Sequence, residues 1–375
     1  MPIVVLSIAS GLMMLPLAGP WNAVVTSSVV ALIMVLAIIT GTAPAKRLIS
    51  EAVDRSSRLR AFVLPYISVV SLKSPVVSVL TATFLVVLPF LLNDYYRDVL
   101  TLTGMYIVLA LGLNLVVGQT GLLNLGYVAF YAIGAYTYAI LSTGYGLSFW
   151  PGLAAGGASA ALCAMLVGIP TLRLRGDYFA IVTLGMGEIT RIVLNNWDGM
   201  TGGPNGIAKI SRPTFAGYVM QTTLDFYFLA LFLVMVTVFA MRRLIYSRIG
   251  RAWIAIREDE IAAEAMGIDT YRLKLLAFVL ASSWAGIVGV FFAAKMAFVS
   301  PESFTFFESV MILCMVVLGG MGSISGIILG ALLLIMLPEI FRDFQDYRML
   351  AFGVALVLMM VFRPQGLLGS IKKAI

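Results

Sequence analysis

Apolar runs of the length that crosses a lipid bilayer recur through almost the whole of this chain. A helix needs about 20 consecutive, mostly apolar residues to cross a hydrocarbon core about 30 Å thick. No water is available there to satisfy exposed backbone groups, so such runs form helices that bond their own backbone. An all-α polytopic membrane protein is therefore expected. The runs fall at residues 3–19, 23–43, 75–92, 99–117, 122–141, 150–170, 178–196, 224–241, 275–298, 306–320, 326–340 and 348–362.

The composition excludes a soluble globular protein. Hydrophobic residues make up 61% and charged residues 11% of the sequence, whereas about a quarter of the residues of soluble domains are charged. The absence of histidine removes the usual general base, proton relay and metal ligand, so neither catalysis nor a cofactor is expected. No G-x-x-x-x-G-K-[ST] string occurs that could hold ATP phosphates. Chemical energy, if it is used, must come from a partner.

Basic residues mark one side of the membrane. They cluster in 46–73, at Arg173 and Arg175, in 242–274 and at the C-terminal end. An excess of Lys and Arg is typical of cytoplasmic loops, so these segments and both termini are expected in the cytoplasm. The segments expected on the outer side are 94–98, 142–149, 197–223, 299–305 and 341–347.

The spans divide into an N-terminal pair and a longer core. Residues 1–45 are expected to form a transmembrane hairpin, followed by a basic cytoplasmic linker at 46–74. The core, residues 75–375, then contains the ten remaining spans. These divide into five plus five, and an odd-numbered unit repeated in tandem inserts the second time with inverted topology. We therefore expect a ten-helix core built from an inverted repeat, with the hairpin as an addition.

Residues 249–268, with the sequence IGRAWIAIREDEIAAEAMGI, are a charged and Ala-rich stretch between two apolar spans. The spacing predicts a helix with Ile254, Ile261 and Ala265 on one face. An ordinary solvated loop is the alternative. The charged residues expected to keep the rest of the surface in water are Arg257, Glu258, Asp259 and Glu260.

The same stretch ends in small residues and turn signals. Ala262 and Ala263 are small enough for another protein's backbone to come close. Gly267 followed by an apolar residue predicts a left-handed helix cap with its hydrophobic contact. Asp269 can then cap the next helix. Together with its polar surface, this stretch is suited to being held by a docked protein.

Groups of small residues interrupt the spans in three places: GQTG at 118–121, Gly156 with Gly157, and GGMGS at 319–323. Glycine at membrane depth permits close helix contact or a tight turn. Packing and turns alone are one interpretation. The first and third groups fall at expected cytoplasmic ends of hairpins, where a gate is the other interpretation.

Charged residues inside the spans are few. Glu188 and Arg191 lie three residues apart and can form an ion pair across one helical turn, with a helix-positioning or gating role as the alternative. Lys295 can extend to the outer interface. An ion-driven carrier usually has several intramembrane acids, whereas Glu188 stands almost alone. The outer turn at 201–206 is either a connection or a docking edge for a substrate-delivery protein.

Longer strings give the chain a family resemblance. They are GLNLVVGQTGLLNLGYVAFYAIGAY at 112–136, RLRGDYFAIVTLGMGEITR at 173–191, TGGPNGI at 201–207, GRAWIAIREDEIAAEAMGI at 250–268, FVSPESFTFFES at 298–309, VVLGGMGS at 316–323 and RPQGLLG at 363–369. In this order they resemble the LivM-type permease subunit of bacterial branched-chain amino-acid ABC importers. The resemblance extends from residue 75 to residue 370.

The resemblance implies a multi-pass subunit of a bacterial inner-membrane importer for leucine, isoleucine and valine. The implied partners are a second permease of similar fold, two cytoplasmic ATPase subunits and a periplasmic substrate-binding protein, with lipid around them and no nucleic acid. A related permease for urea or short amides and an ion-coupled secondary transporter are the alternatives. A membrane enzyme would need a convergent acid, base or nucleophile cluster, which the sequence does not offer.

Residue roles follow from the same resemblance. The coupling loop of ABC-importer permeases carries Glu-Ala-Ala, three further residues, then Gly. Here Ile261 stands at the Glu position, and Glu260 lies one place earlier. Residues 242–274 are thus the expected coupling loop. Its implied ATPase-coupling residues are Ile254, Arg257, Glu258, Glu260, Ile261, Ala262, Ala263 and Gly267.

A pathway for aliphatic amino acids should be walled by Gly, Tyr and aliphatic side chains with a few amide groups. The segment around the GQTG group has this composition. The pathway or gate candidates are Asn114, Gly118, Gln119, Gly121, Asn124 and Tyr127, together with Glu188 and Arg191.

Overall fold

The computed structural model describes residues 85–340, apart from Arg175, Ala216 and the side chains of Leu337 and Ile340. The predicted hairpin at 1–45, the linker at 46–74 and the spans at 3–19, 23–43 and 348–362 lie outside the described residues. Residues 85–91 are helical and belong to the predicted span at 75–92.

Helices form nearly all of the described chain. The long ones are α1 (Asp94–Asn114), α2 (Tyr127–Tyr145), α3 (Phe149–Thr171), α4 (Asp177–Asn196), α6 (Thr223–Ile245), α9 (Thr270–Met296), α10 (Phe306–Gly319) and α11 (Ile324–Ile340). The short ones are α5 (Asp198–Thr201), α7 (Arg248–Glu258) and α8 (Glu260–Ala265). A π-helix, Leu115–Thr120, continues α1, and 3-10 turns occupy Gly203–Asn205 and Pro301–Ser303.

Five stretches within residues 85–340 are long and apolar enough to cross a membrane: Asp94–Thr120, Phe149–Thr171, Thr223–Ile245, Thr270–Met296 and Pro301–Gly319. The remaining long helices, α2, α4 and α11, also coincide with apolar runs predicted from the sequence. The all-helical membrane fold is therefore confirmed. The ten-helix count and the inverted repeat stay predictions.

Helix α1 is the centre of the described fold. From Met105 to the end of its π-helical extension, every residue is buried, as expected for a helix that is apolar on all sides. It packs against α6, α9, α10 and α11. A second group of helices, α2, α3 and α9, packs together on one side of α1.

Glycines bring α2, α3 and α9 into backbone contact. A Cβ added at Gly134 would lie 2.2 Å from the Gly286 carbonyl oxygen, and one added at Gly286 would lie 2.3 Å from the Gly156 carbonyl oxygen. Small residues allow such approach between membrane helices. The close helix contact predicted for Gly156 is confirmed.

Helix α2 begins five residues later than the predicted span at 122–141. Gly121 ends the preceding π-helix with φ +76°. The Asn124 side chain accepts a hydrogen bond from the Gly126 backbone N–H at 3.0 Å, which is a local turn that competes with helix. The Leu125 N–H donates to Thr183 Oγ1 of α4 at 3.2 Å. Residues 121–126 are therefore non-helical because side chains satisfy their backbone groups.

Two short antiparallel ladders lie at the opposite membrane face from α7 and α8. Strand β1 (Ile207–Ala208) pairs with β4 (Phe298–Val299) in the register Ile207↔Val299, Ala208↔Phe298. Strand β2 (Thr214–Phe215) pairs with β3 (Tyr218–Val219). Below, the face with α7 and α8 is called the inner face and the face with these ladders the outer face.

Candidate functional site

Helix α1 ends at the inner face in a π-helical turn. All six residues of Leu115–Thr120 are buried. The Leu122 N–H donates to the Val116 carbonyl oxygen at 3.2 Å, and the Thr120 hydroxyl donates to the same oxygen at 2.7 Å. Because this turn ends the helix, some of its backbone carbonyl groups have no partner within the helix and can accept hydrogen bonds from other segments. Such turns are frequent at functional sites.

The π-helical turn meets the GGMGS turn between α10 and α11. The Gly322 N–H donates to Asn114 Oδ1 at 2.8 Å, and Gln119 Nε2 donates to the Gly322 carbonyl oxygen at 3.4 Å. A Cβ added at Gly118 would lie 2.6 Å from the Gly322 nitrogen, so glycine is required for this approach. Gly322 itself has φ +88°, a conformation that other residues rarely adopt.

Arg257 joins this cluster from the coupling loop. Its Nη1 donates to the Gly118 carbonyl oxygen. A Cβ added at Gly121 would lie 3.2 Å from Arg257 Cγ, and one added at Gly322 would lie 3.4 Å from Arg257 Nη1. We call Asn114, Gly118, Gln119, Gly322 and Arg257 the inner junction. Arg257 was expected to be solvated and to couple to the ATPase, whereas its guanidinium contacts the π-helical turn that continues α1.

The coupling loop contains two helices rather than the single helix predicted over 249–268. Helix α7 stops at Glu258, and Asp259 is extended with φ −157° and ψ 111°. Its Oδ1 accepts hydrogen bonds from the backbone N–H groups of Ile261 and Ala262 at 2.9 and 3.0 Å. The prediction of one continuous face was wrong because Asp259 acts as an N-cap, for which Asp is strongly preferred.

The coupling loop is fastened to the inner end of α9. Trp253 is fully buried, and its Nε1 donates to the Leu273 carbonyl oxygen at 2.8 Å. Glu260 pairs with Lys274 of α9. The Thr270 hydroxyl donates to Glu264 Oε1 at 2.6 Å.

The cap predicted at the end of the coupling loop is confirmed. Gly267 has φ +81°. Its N–H bonds to the Glu264 carbonyl, and the Ile268 N–H bonds to the Ala263 carbonyl, which is the Schellman arrangement. Asp269 then caps α9 by accepting from the Arg272 N–H at 3.0 Å.

The candidate coupling residues differ in exposure. Ala263 is only 4% exposed and belongs to the chain's own core. Ile254 and Glu260 are half-buried, whereas Glu258 and Ala262 are exposed. In α8 and its cap, the exposed large apolar residues are Ile261, exposed to 72%, and Met266, exposed to 83%. Met266 was missed, although an apolar residue beside the predicted cap was a signal.

Three pathway candidates lie in the interior of this chain. Asn114, Asn124 and Tyr127 are at most 1% exposed. The Tyr127 hydroxyl donates to the Ala281 carbonyl oxygen of α9 at 3.0 Å. Asn124 Nδ2 has no hydrogen-bond partner among the described residues. The structure thus brings Asn114, Gly118, Gln119 and Gly121 to one place and puts Asn124 and Tyr127 beside α4 and α9.

Glu188 and Arg191 form the predicted ion pair on α4, with 2.9 Å between Arg191 Nη2 and Glu188 Oε2. Both side chains are about one-third exposed, at 34% and 36%. Large apolar side chains beside them on α4 are also exposed, including Ile181, Ile189 and Ile192. The face of α4 that carries this ion pair is therefore uncovered within the described chain.

Two further charged contacts correct the sequence analysis. Glu308 is a second acid within a predicted span, and the Tyr106 hydroxyl donates to its Oε2 at 2.6 Å. Lys295, expected to extend to the outer interface, has a side chain that is 8% exposed and pairs with Asp98 at 2.8 Å. The sequence signals for these contacts were two acidic residues: Glu308, near the start of the span at 306–320, and Asp98, just before the span at 99–117.

The outer turn at 201–206 is tightly fixed. Gly202, Gly203 and Gly206 all have positive φ. A Cβ added at Gly206 would lie 2.1 Å from the Val299 carbonyl oxygen, and one at Gly203 would meet the Asp198 carboxylate. Elsewhere on the outer face, the negative charge of Asp225 raises the pKa of Tyr218. The loop is thus a packed outer structure rather than a loose connection.

The apolar helices and the charged helical loop fastened to α9 define a polytopic membrane protein. Comparison with known proteins identifies the family. Residues 95–362 match the model of the family described as the permease component of branched-chain amino acid transport systems. The chain belongs to this family.

Permease proteins of two kinds, LivM and LivH, are similar to this chain. The high-affinity branched-chain amino acid transport system permease protein LivM of Escherichia coli is 48% identical over 330 residues, covering 82% of this chain and 78% of that protein. The LivH permease protein of Salmonella typhimurium is 27% identical over 307 residues, covering 75% of this chain and 96% of that protein. No solved structure matches the chain.

Proposed function

We propose that this chain is the transmembrane permease subunit of an ATP-driven importer for branched-chain amino acids in a bacterial inner membrane. The family match and the relatives named for branched-chain amino acid transport support this proposal. The chain forms half of the translocation pathway, and a second permease forms the other half. ATP is hydrolysed on two separate cytoplasmic subunits, and a periplasmic binding protein delivers leucine, isoleucine or valine.

The observation that carries the proposal is the form of the coupling loop. Two of its exposed apolar residues are Ile261 on α8 and Met266 directly after α8. This helix is attached to α9 by the Glu260–Lys274 ion pair and by the Thr270–Glu264 hydrogen bond. Apolar side chains exposed to water at a rigid, charged surface are typical of a protein docking site. A force applied there reaches a membrane helix directly.

The architecture proposed for the whole chain has ten core spans in two inverted halves, preceded by a transmembrane hairpin and a basic linker. Both termini lie in the cytoplasm, as the basic residues indicate. The coupling loop then faces the ATPases, and the turn at 201–206 faces the binding protein. The length of the outer loop and its fixed glycine turns support a docking edge there.

The uncovered face of α4 is the surface proposed for the second permease and the pathway. A charged pair facing lipid costs several kcal/mol, so charged residues in spans usually face protein or a water-filled cavity. Glu188 and Arg191 are partly exposed in the middle of this face. The match to LivH, a relative that differs from LivM, supports a partner of similar but not identical fold.

In the proposed mechanism, ATP binding draws the two ATPases together and moves both coupling loops. The two permeases then rock against each other, and the side to which the pathway is open changes. The pathway carries a zwitterion with an aliphatic side chain because the spans offer few counter-charges for a charged one. Selectivity resides mostly in the binding protein, since a pathway that bound its substrate tightly would release it slowly.

Reconstitution of the complete complex in liposomes tests the proposal. Uptake of leucine, isoleucine or valine should require both ATP and the binding protein, and should exceed uptake of lysine or aspartate. A complex with an ATPase variant that binds but does not hydrolyse ATP is the control. ATP-independent uptake driven by an ion gradient, or a preference for urea, would contradict the proposal and support one of its alternatives.

A further inference from the structure

The inner junction connects three segments that are far apart in the sequence. Arg257 lies at the end of α7, Gly118 lies in the π-helical turn, and Gly322 lies between α10 and α11. The Arg257 guanidinium donates to the Gly118 carbonyl. A Cβ at Gly118 would lie 2.6 Å from the Gly322 nitrogen, and Gly322 has a φ of +88° that other residues rarely adopt. The Arg257 side chain thus joins the coupling loop to the inner junction.

Arg257 is exposed, yet its guanidinium makes a specific contact inside the chain. It forms no ion pair with another described residue, although Glu258, Asp259 and Glu260 follow it directly. Its stem passes over Gly121, where a Cβ would lie 3.2 Å from Arg257 Cγ. The guanidinium therefore reaches Gly118 across a surface kept open by glycine.

The acceptor lies in the last turn of the helix, where carbonyl groups lack a backbone partner within the helix and can accept from an arginine. In an α-helix, the carbonyl of each interior residue accepts from the N–H four positions later, whereas the π-helical turn at Leu115–Thr120 alters this ladder. A hydrogen bond from a charged donor is roughly twice as strong as a neutral one. Arg257 can therefore stabilise the π-helical turn in the conformation in which Asn114 and Gln119 hold Gly322.

We propose that Arg257 is a positioning residue that transmits movement of the coupling loop to the inner junction. When a docked partner moves α7, the guanidinium pulls on or releases the Gly118 carbonyl, and the contact between the π-helical turn and the Gly322 turn changes with it. This inference rests on the proposed function. It assigns to Arg257 a contact within the permease in place of the contact with the ATPase that the sequence suggested.

The experiment compares Arg257→Ala, Arg257→Lys and Arg251→Ala in the complete complex in lipid nanodiscs and liposomes. Arg251 lies on the same helix and is exposed, so its substitution removes an equal charge without touching the junction. Two quantities are measured for each variant: the amount of ATPase that co-purifies, and the number of leucine molecules imported per ATP hydrolysed.

For Arg257→Ala, leucine imported per ATP should fall about tenfold while ATPase association is retained, because losing one charge-assisted hydrogen bond corresponds to at least a factor of ten in an equilibrium. Arg257→Lys should recover part of the loss, since it keeps the charge but not the planar fork. Arg251→Ala should match the wild type. Equal ratios for Arg257→Ala and Arg251→Ala would overturn the proposal, and so would loss of ATPase association.

A second readout reports on the junction itself. Ser323 lies next to Gly322 and is half-buried, and the chain has only two cysteines, Cys163 and Cys314, to replace. In that background, labelling of Ser323→Cys should become faster when Arg257→Ala is added. An unchanged labelling rate would contradict the proposal that Arg257 holds the Gly322 turn in place. If the wild-type complex shows no ATP-dependent uptake at all, the proposed function fails, whereas the labelling result still tests the contact.

Discussion

The Trp253 indole donates a hydrogen bond to the backbone carbonyl of Leu273 at 2.8 Å and is itself fully buried. A residue of the water-facing loop is thus built into the inner end of α9. This attachment makes the coupling loop a rigid extension of a membrane helix.

Substitution of Trp253 should separate the two parts of this attachment. Trp253→Phe removes the hydrogen bond and should cost about 1 kcal/mol of stability. Trp253→Ala also removes the ring and should cost about 3–5 kcal/mol, in the range of large-to-small core changes. Thermal unfolding of the purified complex in detergent measures both. A loss for Phe as large as that for Ala would show that the hydrogen bond, not the packing, dominates.

Exposed apolar residues of the coupling loop should matter for the partner and not for the fold. Ile261→Ser and Met266→Ser are expected to reduce the ATPase retained on co-purification by about tenfold, since burying one such side chain contributes about 1.5–3 kcal/mol. Tyr246→Ser is the control, because Tyr246 is 73% exposed and lies before α7, away from α8 and its cap. Undiminished ATPase retention in both variants would remove these residues from the docking surface.

Ala263 should respond differently from its exposed neighbours. Ala263→Trp places a large ring at a position that is 4% exposed in this chain alone. Overpacking of this kind costs about 1–3 kcal/mol, so the variant should unfold at lower temperature even without the ATPases. A normal unfolding temperature with lost uptake would instead indicate that Ala263 meets only the partner.

The glycine contact between α3 and α9 should be intolerant of even one methyl group. Gly286→Ala would put a Cβ 2.3 Å from the Gly156 carbonyl oxygen and should cost about 1–3 kcal/mol. Gly144→Ala is the matched control, because no atom lies within 4 Å of its Cβ position, and it should be neutral or stabilising by up to about 1 kcal/mol. Both are measured by thermal unfolding, and equal effects would contradict the packing argument.

The two membrane faces can be assigned with single cysteines. Tyr246→Cys and Asn205→Cys, each in a chain without Cys163 and Cys314, should react with an impermeant reagent from opposite sides, Tyr246→Cys from the cytoplasm. Both positions are exposed. Asn205 is preferable to Gly203, where a Cβ would meet the Asp198 carboxylate. Labelling of both from outside intact cells would overturn the proposed orientation.

Local sequence signals predicted several features correctly. The apolar runs predicted the long helices because length and hydrophobicity alone decide whether a segment crosses a bilayer. Gly267 and Asp269 were recognised as caps because capping depends on neighbours in the chain. The Glu188–Arg191 pair followed from spacing on one helix.

The inner junction was not predictable in the same way. Its hydrogen bonds join Arg257 to Gly118 and Gly322 to Asn114, which are 139 and 208 positions apart. Nothing local distinguishes an arginine that crosses such a distance from one that stays in water. The same holds for Tyr106 and Glu308, which are separated by 202 positions. The break at Asp259, by contrast, carried a local signal, since Asp is a preferred N-cap residue.

The backbone contacts among Gly134, Gly156 and Gly286 leave α2, α3 and α9 with almost no side chains between them at the point of crossing. Side chains can change rotamer to absorb a displacement, whereas two touching backbones cannot. These three helices therefore have no means of sliding past one another there. A displacement of the coupling loop, applied at the inner end of α9, should therefore move α2 and α3 together with α9. Any rearrangement would then fall at the contacts of these three helices with α1 and α10.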